Sequence, residues 1–128
     1  MKNKREIQAI ERTLNILDSP EKWIKGYRAK TKNDEATTFN SEDAVTWCVD
    51  GAICKALDEQ KLTDRKWSNS YIKIVHAMCR AVKLKFNLSN QDEHIGFNDH
   101  ENTTHEMIID MLNRAKEFLQ GNQKGASK

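Results

Sequence analysis

Proline occurs once in the 128 residues, at position 20, and glycine five times. With so few enforced breaks, long helices are compatible with most of the chain. No apolar run approaches the length needed to cross a bilayer, and Met1 to Ile10 lacks the uninterrupted hydrophobic stretch of a secretion signal. These two absences set the expectation of a soluble, cytoplasmic protein with no membrane partner. Cysteine is scarce too: Cys48, Cys54 and Cys79 form an odd set that fits reduced thiols better than an extracellular disulfide framework, with a single bridge left open. Neither sign of charge dominates, since 21 Lys and Arg face 19 Asp and Glu. A net charge of +2 does not by itself call for a nucleic acid or a membrane surface. The chain has no glycine-rich phosphate loop, no repeated CxxC pair, no spaced set of His and carboxylates and no calcium-loop pattern, so neither a cofactor nor a metal site is expected.

What is present reads as one mainly α-helical domain, a compact bundle of about four helices with a short N-terminal β-hairpin. Its expected span is residues 1–120, including a basic N-terminal helix, with 121–128 as a polar tail. Ile7, Ile10, Leu14 and Leu17 recur at helical intervals and make the first apolar stripe. Ser19-Pro20 marks a break and restart, after which the spacing of Trp23 and Tyr27 predicts both rings against one core. Asn33-Asp34 between threonine-containing runs predicts a hairpin turn. Ser41 followed by Glu42 and Asp43 predicts a capped helix through about Leu57, burying Val45, Cys48, Val49, Ala52 and Ala56. Gly51, costing about 1 kcal/mol of helix stability relative to alanine, implies a compensating close approach of another backbone. Asp58 to Ser68 reads as a connector anchored by Leu62 and Trp67. A helix over Asn69 to Phe86 then presents Tyr71, Ile72, Val75, Met78, Cys79, Val82 and Phe86 to the core. Asn87 to Asn102 reads as a polar loop with Leu88, Ile95 and Phe97 turned inward. Thr103 with Glu106 has the form of a capping box opening a terminal helix that carries Met107, Ile108, Met111, Leu112, Ala115, Phe118 and Leu119.

Trp47-Cys48-Val49-Asp50-Gly51-Ala52, Gly96-Phe97-Asn98-Asp99 and Thr103-Thr104-His105-Glu106 together resemble a family of uncharacterised small bacterial and bacteriophage proteins, over roughly Trp23 to Phe118. The resemblance implies a small domain with paired motif regions and carries no catalytic residues with it.

Three functional readings stay open on the residues themselves. The leading one is a noncatalytic protein-binding or regulatory domain, meeting an unidentified protein through Trp67 and the segment Phe97, Asn98, Asp99, His100 and Glu101. A cysteine-dependent hydrolase or transferase would use Cys48 as nucleophile with His100 or His105 as base; the competing reading makes Cys48 a compact buried thiol and both histidines surface groups. The third is a nucleic-acid-binding protein, whose anion-facing surface would gather Lys22, Lys25, Arg28, Lys30 and Lys32; an ordinary solvated face is the alternative. Asn98 and Asp99 also suit capping of the loop before the last helix. The sequence leaves the oligomeric state open.

Overall fold

The computed structural model describes residues 2–86 and 93–121. The expectations placed on the Phe86 side chain, on Leu88 and on the tail beyond Gly121 fall outside what it describes. Helix α1 spans Lys4–Ile16, and a single 3-10 turn follows at Pro20–Lys22. Three short strands come next: β1 Ala29–Thr31, β2 Ala36–Thr37 and β3 Ala44–Trp47. Helices α2 Val49–Glu59, α3 Asp64–Phe86, α4 Glu93–Asp99 and α5 His105–Leu119 complete the fold. It is mainly helical and compact, as the periodicity predicts, with a small antiparallel sheet in the order β2-β1-β3.

The helical stripes pack on one another. Ile7, Ile10, Ile16 and Leu17 from α1 and its C-terminal end meet Ile53, Ala56 and Leu57 of α2, while Ile74, Met78 and Val82 of α3 meet Ile108, Met111 and Leu112 of α5. All are buried, and the Ile, Leu, Met and Val side chains among them each contribute about 1.5–3 kcal/mol when removed from water. The hairpin also forms as expected. Asp34 takes a left-handed φ of 64°, and Thr31 Oγ1 accepts from the amides of Asn33 and Glu35 across the turn. Among the described residues no helix is long and apolar enough to cross a membrane.

The segment 41–48 departs from its helical expectation. Ser41 Oγ accepts from the Asp43 amide in a local turn, and the chain then runs as β3, with Ala29 opposite Trp47 and Thr31 opposite Ala44. Ala44 and Trp47 point inward while Val45 is 44% exposed. Branched Val45 and Thr46 beside Trp47 suit a pleated surface, and pairing with β1 outweighs the capping signal at Ser41. The helix opens later, with Cys48 as its cap: the sulfur accepts from the Gly51 amide at 3.3 Å.

Three further boundaries also move. Helix α3 starts at Asp64, because Thr63 caps it through the Lys66 amide, so much of the supposed connector is helical. Part of the expected polar loop becomes α4, in which Phe97 is buried as anticipated but Ile95 is 38% exposed. The cap of α5 is Thr104, accepting from the Met107 amide at 3.3 Å, while Thr103 is buried. Adjacent threonines offer the same chemistry one residue apart, and burial of Thr103 decides between them. On α3, Ile72 faces outward at 52% exposure, because a 23-residue helix has partners on only part of its circumference.

Gly51 has the close approach that its position implied. A Cβ there would lie 2.1 Å from the backbone oxygen of Arg28, which also accepts from the Cys48 amide at 3.2 Å. Gly51→Ala would gain helix propensity but drive a methyl into backbone that cannot rotate away. We expect a net loss of about 1–3 kcal/mol or more, read as a Tm lower by roughly 5 °C or more in thermal denaturation. An unchanged or raised Tm would show that β1 can withdraw from α2 at no cost.

Candidate functional site

The segment from Trp23 to Arg28 is held between the first turn of α2 and the end of α4. Asn98, buried on α4, makes the clamp with both ends of its amide. Its Oδ1 accepts from Trp23 Nε1 at 2.7 Å and from the Val49 amide at 3.0 Å; its Nδ2 donates to Ile24 O at 3.1 Å and to Asp99 Oδ1 at 2.9 Å. Asp99 Oδ1 also accepts from the amide of Gly26, whose φ of 83° is open to glycine at little cost. Lys25 Nζ reaches the carbonyls of His100 and Glu101 at 2.6 and 3.3 Å. Asn98 and Asp99 thus organise a segment more than seventy residues away, where the sequence suggested capping of their own loop.

Behind this clamp lies Asp50, 1% exposed in the first turn of α2. Its Oδ1 accepts from Tyr71 Oη at 2.6 Å and from His94 Nε2 at 3.0 Å. Its Oδ2 lies 3.3 Å from Arg28 Nε, which supplies an opposite charge, yet the geometry gives Oδ2 no hydrogen bond. We treat the contact as charge compensation only, because Arg28's side chain is 58% exposed and unaligned. Such an unmet buried acceptor typically costs about 1–3 kcal/mol. On the far side of the imidazole, His94 Nδ1 lies 4.0 Å from Cys79 Sγ. A thiol, an imidazole and a carboxylate therefore stand in line, with Tyr71 as a second donor to the carboxylate.

Desolvation acts against the charged forms of Asp50 and His94, and their pairing overcomes it on both sides. For Asp50, burial raises the pKa but hydrogen bonds from His94 and Tyr71 and the charges of His94 and Arg28 bring it below its ordinary value. For His94, burial lowers the pKa but the bonds to Asp50 and Cys79 carry it up to about 9. Tyr71 is raised by burial and by the hydrogen bond to Asp50.

Gly26, Tyr27 and Arg28 on one wall face Ile95 and Asp99 on the other, across a cleft of about 120 Å³ with Cys48, Asp50 and Asn98 at its floor. A larger hollow of about 420 Å³ lies along the hairpin between Lys32, Glu35, Glu42 and Asp43. Its charged walls are exposed; of the three buried side-chain oxygens without a hydrogen bond among the described residues, Thr46 Oγ1, Asp50 Oδ2 and Gln60 Oε1, only that of Asp50 belongs to a residue lining the smaller cleft.

The residues singled out in the sequence are distributed unevenly about this cleft. Cys48 is buried in its floor, and its thiol is pushed up to about 11, first by desolvation and further by the charges of Asp50 and Asp99. Its partner is the Gly51 amide, whereas His100 Nδ1 accepts from the Asn102 amide and His105 Nε2 donates to Leu17 O at 2.6 Å. Asn98 and Asp99 frame the cleft, Phe97 lies in the core, and His100 and Glu101 are exposed just beyond. Trp67 is half-buried, donates to Asp58 at 2.8 Å and stacks on Tyr71, through which it buttresses Asp50. Of the five cations, Lys22 pairs with Asp18, Lys30 with Asp34 and Arg28 with Asp50, Lys25 is held on backbone carbonyls, and Lys32 is exposed beside the hairpin hollow. Tyr27, expected in the core with Trp23, is 50% exposed because Trp23 alone is drawn inward by Asn98.

Sequence reasoning missed the Asp50, Tyr71, His94 and Cys79 connection. The available signal was a lone carboxylate inside Trp47-Cys48-Val49-Asp50-Gly51-Ala52-Ile53, a stretch too apolar to leave it a solvent-facing side.

The Asp50 and His94 pair gives a defined pH window. An imidazole protonated up to about 9 in the fold, but only to its ordinary 6.5 when unfolded, stabilises fully below 6.5 and progressively less as pH rises to 9. The depressed Asp50 acts at the other end, its contribution being lost as pH falls below the ordinary carboxylate value of 3.8. We expect Tm to decline by roughly 5 °C between pH 6.5 and 9, and His94→Gln, which keeps a donor but cannot titrate there, to flatten that decline. Above that range the raised Cys48 and Cys54 thiols act in the same direction, so the comparison ends at pH 9. Equal slopes in both proteins would remove the pair as the source.

No curated protein and no solved structure matches the chain. A family model covers residues 1–118, and the chain belongs to that family, described as a family of unknown function, DUF6197.

Proposed function

We propose that this is a noncatalytic recognition domain that takes a segment of a partner protein at the cleft between Gly26–Arg28 and α4. The observation that carries the reading is Asp50 Oδ2, an enclosed carboxylate oxygen with no hydrogen bond in a residue that lines the cleft. Polar groups of this kind are normally satisfied, and an incoming donor satisfies this one. Tyr27 and Ile95, both exposed at the rim, supply apolar contact beside it. Asp99 belongs to the cleft, His100 and Glu101 extend the surface past it, and Trp67 acts from behind by holding Tyr71. The resemblance in the motif regions favours a bacterial or bacteriophage interaction protein acting in the cytoplasm.

A photo-crosslinking residue at position 27, compared with one at exposed Ile72 on α3, tests this in extract from the native source. We expect a discrete adduct from position 27 alone, lost when Ile95→Asp is added. Adducts from both positions alike, no adduct from position 27, or one indifferent to Ile95→Asp would overturn the reading.

Thiol chemistry is a second reading, favoured by the line Cys79, His94 and Asp50 rather than by Cys48. Cys79 is half-buried, whereas Cys48 and Cys54 are buried with thiols raised to about 11 and about 12. Under native conditions iodoacetamide should modify Cys79 first, and His94→Gln should slow that reaction about tenfold or more. Peptide mapping that found Cys48 modified first, or a rate at Cys79 unaffected by the variant, would reject it.

A further inference from the structure

Building on the cleft as a recognition site, we propose that its occupant is the guanidinium of an arginine side chain presented by the partner polypeptide, received between Asp50 Oδ2 and Asp99. The carboxylate of Asp50 is divided by its surroundings. Tyr71 and His94 both donate to Oδ1, which leaves Oδ2, enclosed in a side chain 2% exposed and 3.3 Å from Arg28 Nε, without a hydrogen bond. On the facing wall, Asp99 engages Gly26 and Asn98 through Oδ1, and its Oδ2 has no hydrogen bond among the described residues. Two carboxylates, one at the floor and one on a wall, suit a donor with several N–H groups in one plane.

Charge supports the same assignment. Asp50 and Asp99 both act on the Cys48 thiol between them in the direction expected of a negative potential. Arg28 points to the kind of cation this floor accepts: its Nε rests at ion-pair distance from Oδ2, unaligned and largely in water. A guanidinium entering from outside can align where the tethered one does not, and Arg28 is free to swing aside because no hydrogen bond holds its side chain among the described residues. A cleft of about 120 Å³ has room for one head group, with Tyr27 and Ile95 placed to cover the methylenes behind it.

The opposite assignment, an anion held by Arg28, makes a prediction of opposite sign. The test is titration of the isotope-labelled full chain with an acetylated and amidated Gly-Arg-Gly peptide at low salt, followed by amide shifts. Parallel arms use the citrulline and glutamate peptides. We expect saturable shifts at Gly26, Asp50 and Asp99, about tenfold weaker binding of the citrulline peptide, and about threefold or more tighter binding to Arg28→Gln, which removes the competing guanidinium. The His94 imidazole should also titrate at lower pH in the bound state, since an aligned guanidinium draws on the shared carboxylate more strongly than the unaligned Arg28 it displaces. That response separates occupation of the floor from contact at the rim. Arg28→Gln is exposed and leaves Asp50's other bonds intact, so it is the decisive variant; Asp50→Asn, checked for folding, should abolish the shifts.

Weaker binding to Arg28→Gln, preference for the glutamate peptide, equal binding of the citrulline peptide, or no shifts at these amides would overturn arginine recognition. If the crosslink from position 27 persists in those cases, recognition at the cleft stands and only its ligand is wrong. If the crosslink is absent as well, both fail.

Discussion

A carboxylate buried in the second position of a central helix constrains everything packed around it. Asp50 sits where the amides opening α2 favour negative charge, but that alone does not offset removal from water. The chain must bring it donors, and it does so from three directions: Tyr71 from α3, His94 from α4 and Arg28 from beside β1. Replacing such a cluster with hydrocarbon can leave a protein as stable or more so, so its value lies in geometry. Here it sets how α4 meets α2 and α3, and α4 in turn carries Ile95, Asn98 and Asp99 to the cleft.

A second constraint works from the backbone side. Without a side chain at Gly51, the carbonyl of Arg28 closes on α2 and accepts from the Cys48 amide. Only from there does the Arg28 side chain come within 3.3 Å of Asp50. Asn98 completes the arrangement by joining Trp23, Ile24 and Val49 through one amide group. The cleft wall is therefore irregular chain held by buried and part-buried hydrogen bonds, the rigid setting that the proposed recognition needs.

How far this was legible in the sequence depends on the range of each interaction. The stripes of α1 and α5 were readable because helical periodicity is local, and the hairpin because Asn33-Asp34 signals a turn on its own. Gly51 was readable as a close approach, since glycine in a helix interior needs a reason, although the approaching strand was not. Residues 44–47 were misread because Ser41 and its acidic neighbours imitate a helix start, whereas the partner that makes them a strand is β1, thirteen or more residues earlier. Asn98 and His94 act across 49 and 44 residues on Val49 and Asp50, and no local pattern encodes such a distance. Cys48 illustrates the same limit: beside a potential base it would be a nucleophile, but the fold makes it a cap.

The two oxygens of Asp50 link the core to the cleft. Oδ1 is bound to the fold through Tyr71 and His94, and Oδ2 lies 3.3 Å from Arg28 Nε without a hydrogen bond. A single delocalised charge serves both, so a cation arriving at Oδ2 weakens the hold on the His94 imidazolium, and protonation of His94 weakens the pull on that cation. Thermodynamic linkage makes the two effects equal in size. Because His94 is held charged up to about 9, its proton is in place at neutral pH and Oδ2 is already partly neutralised. A guanidinium site of the proposed kind would have moderate affinity and gain selectivity from alignment, since hydrogen bonding is what Oδ2 lacks while much of its charge is already met.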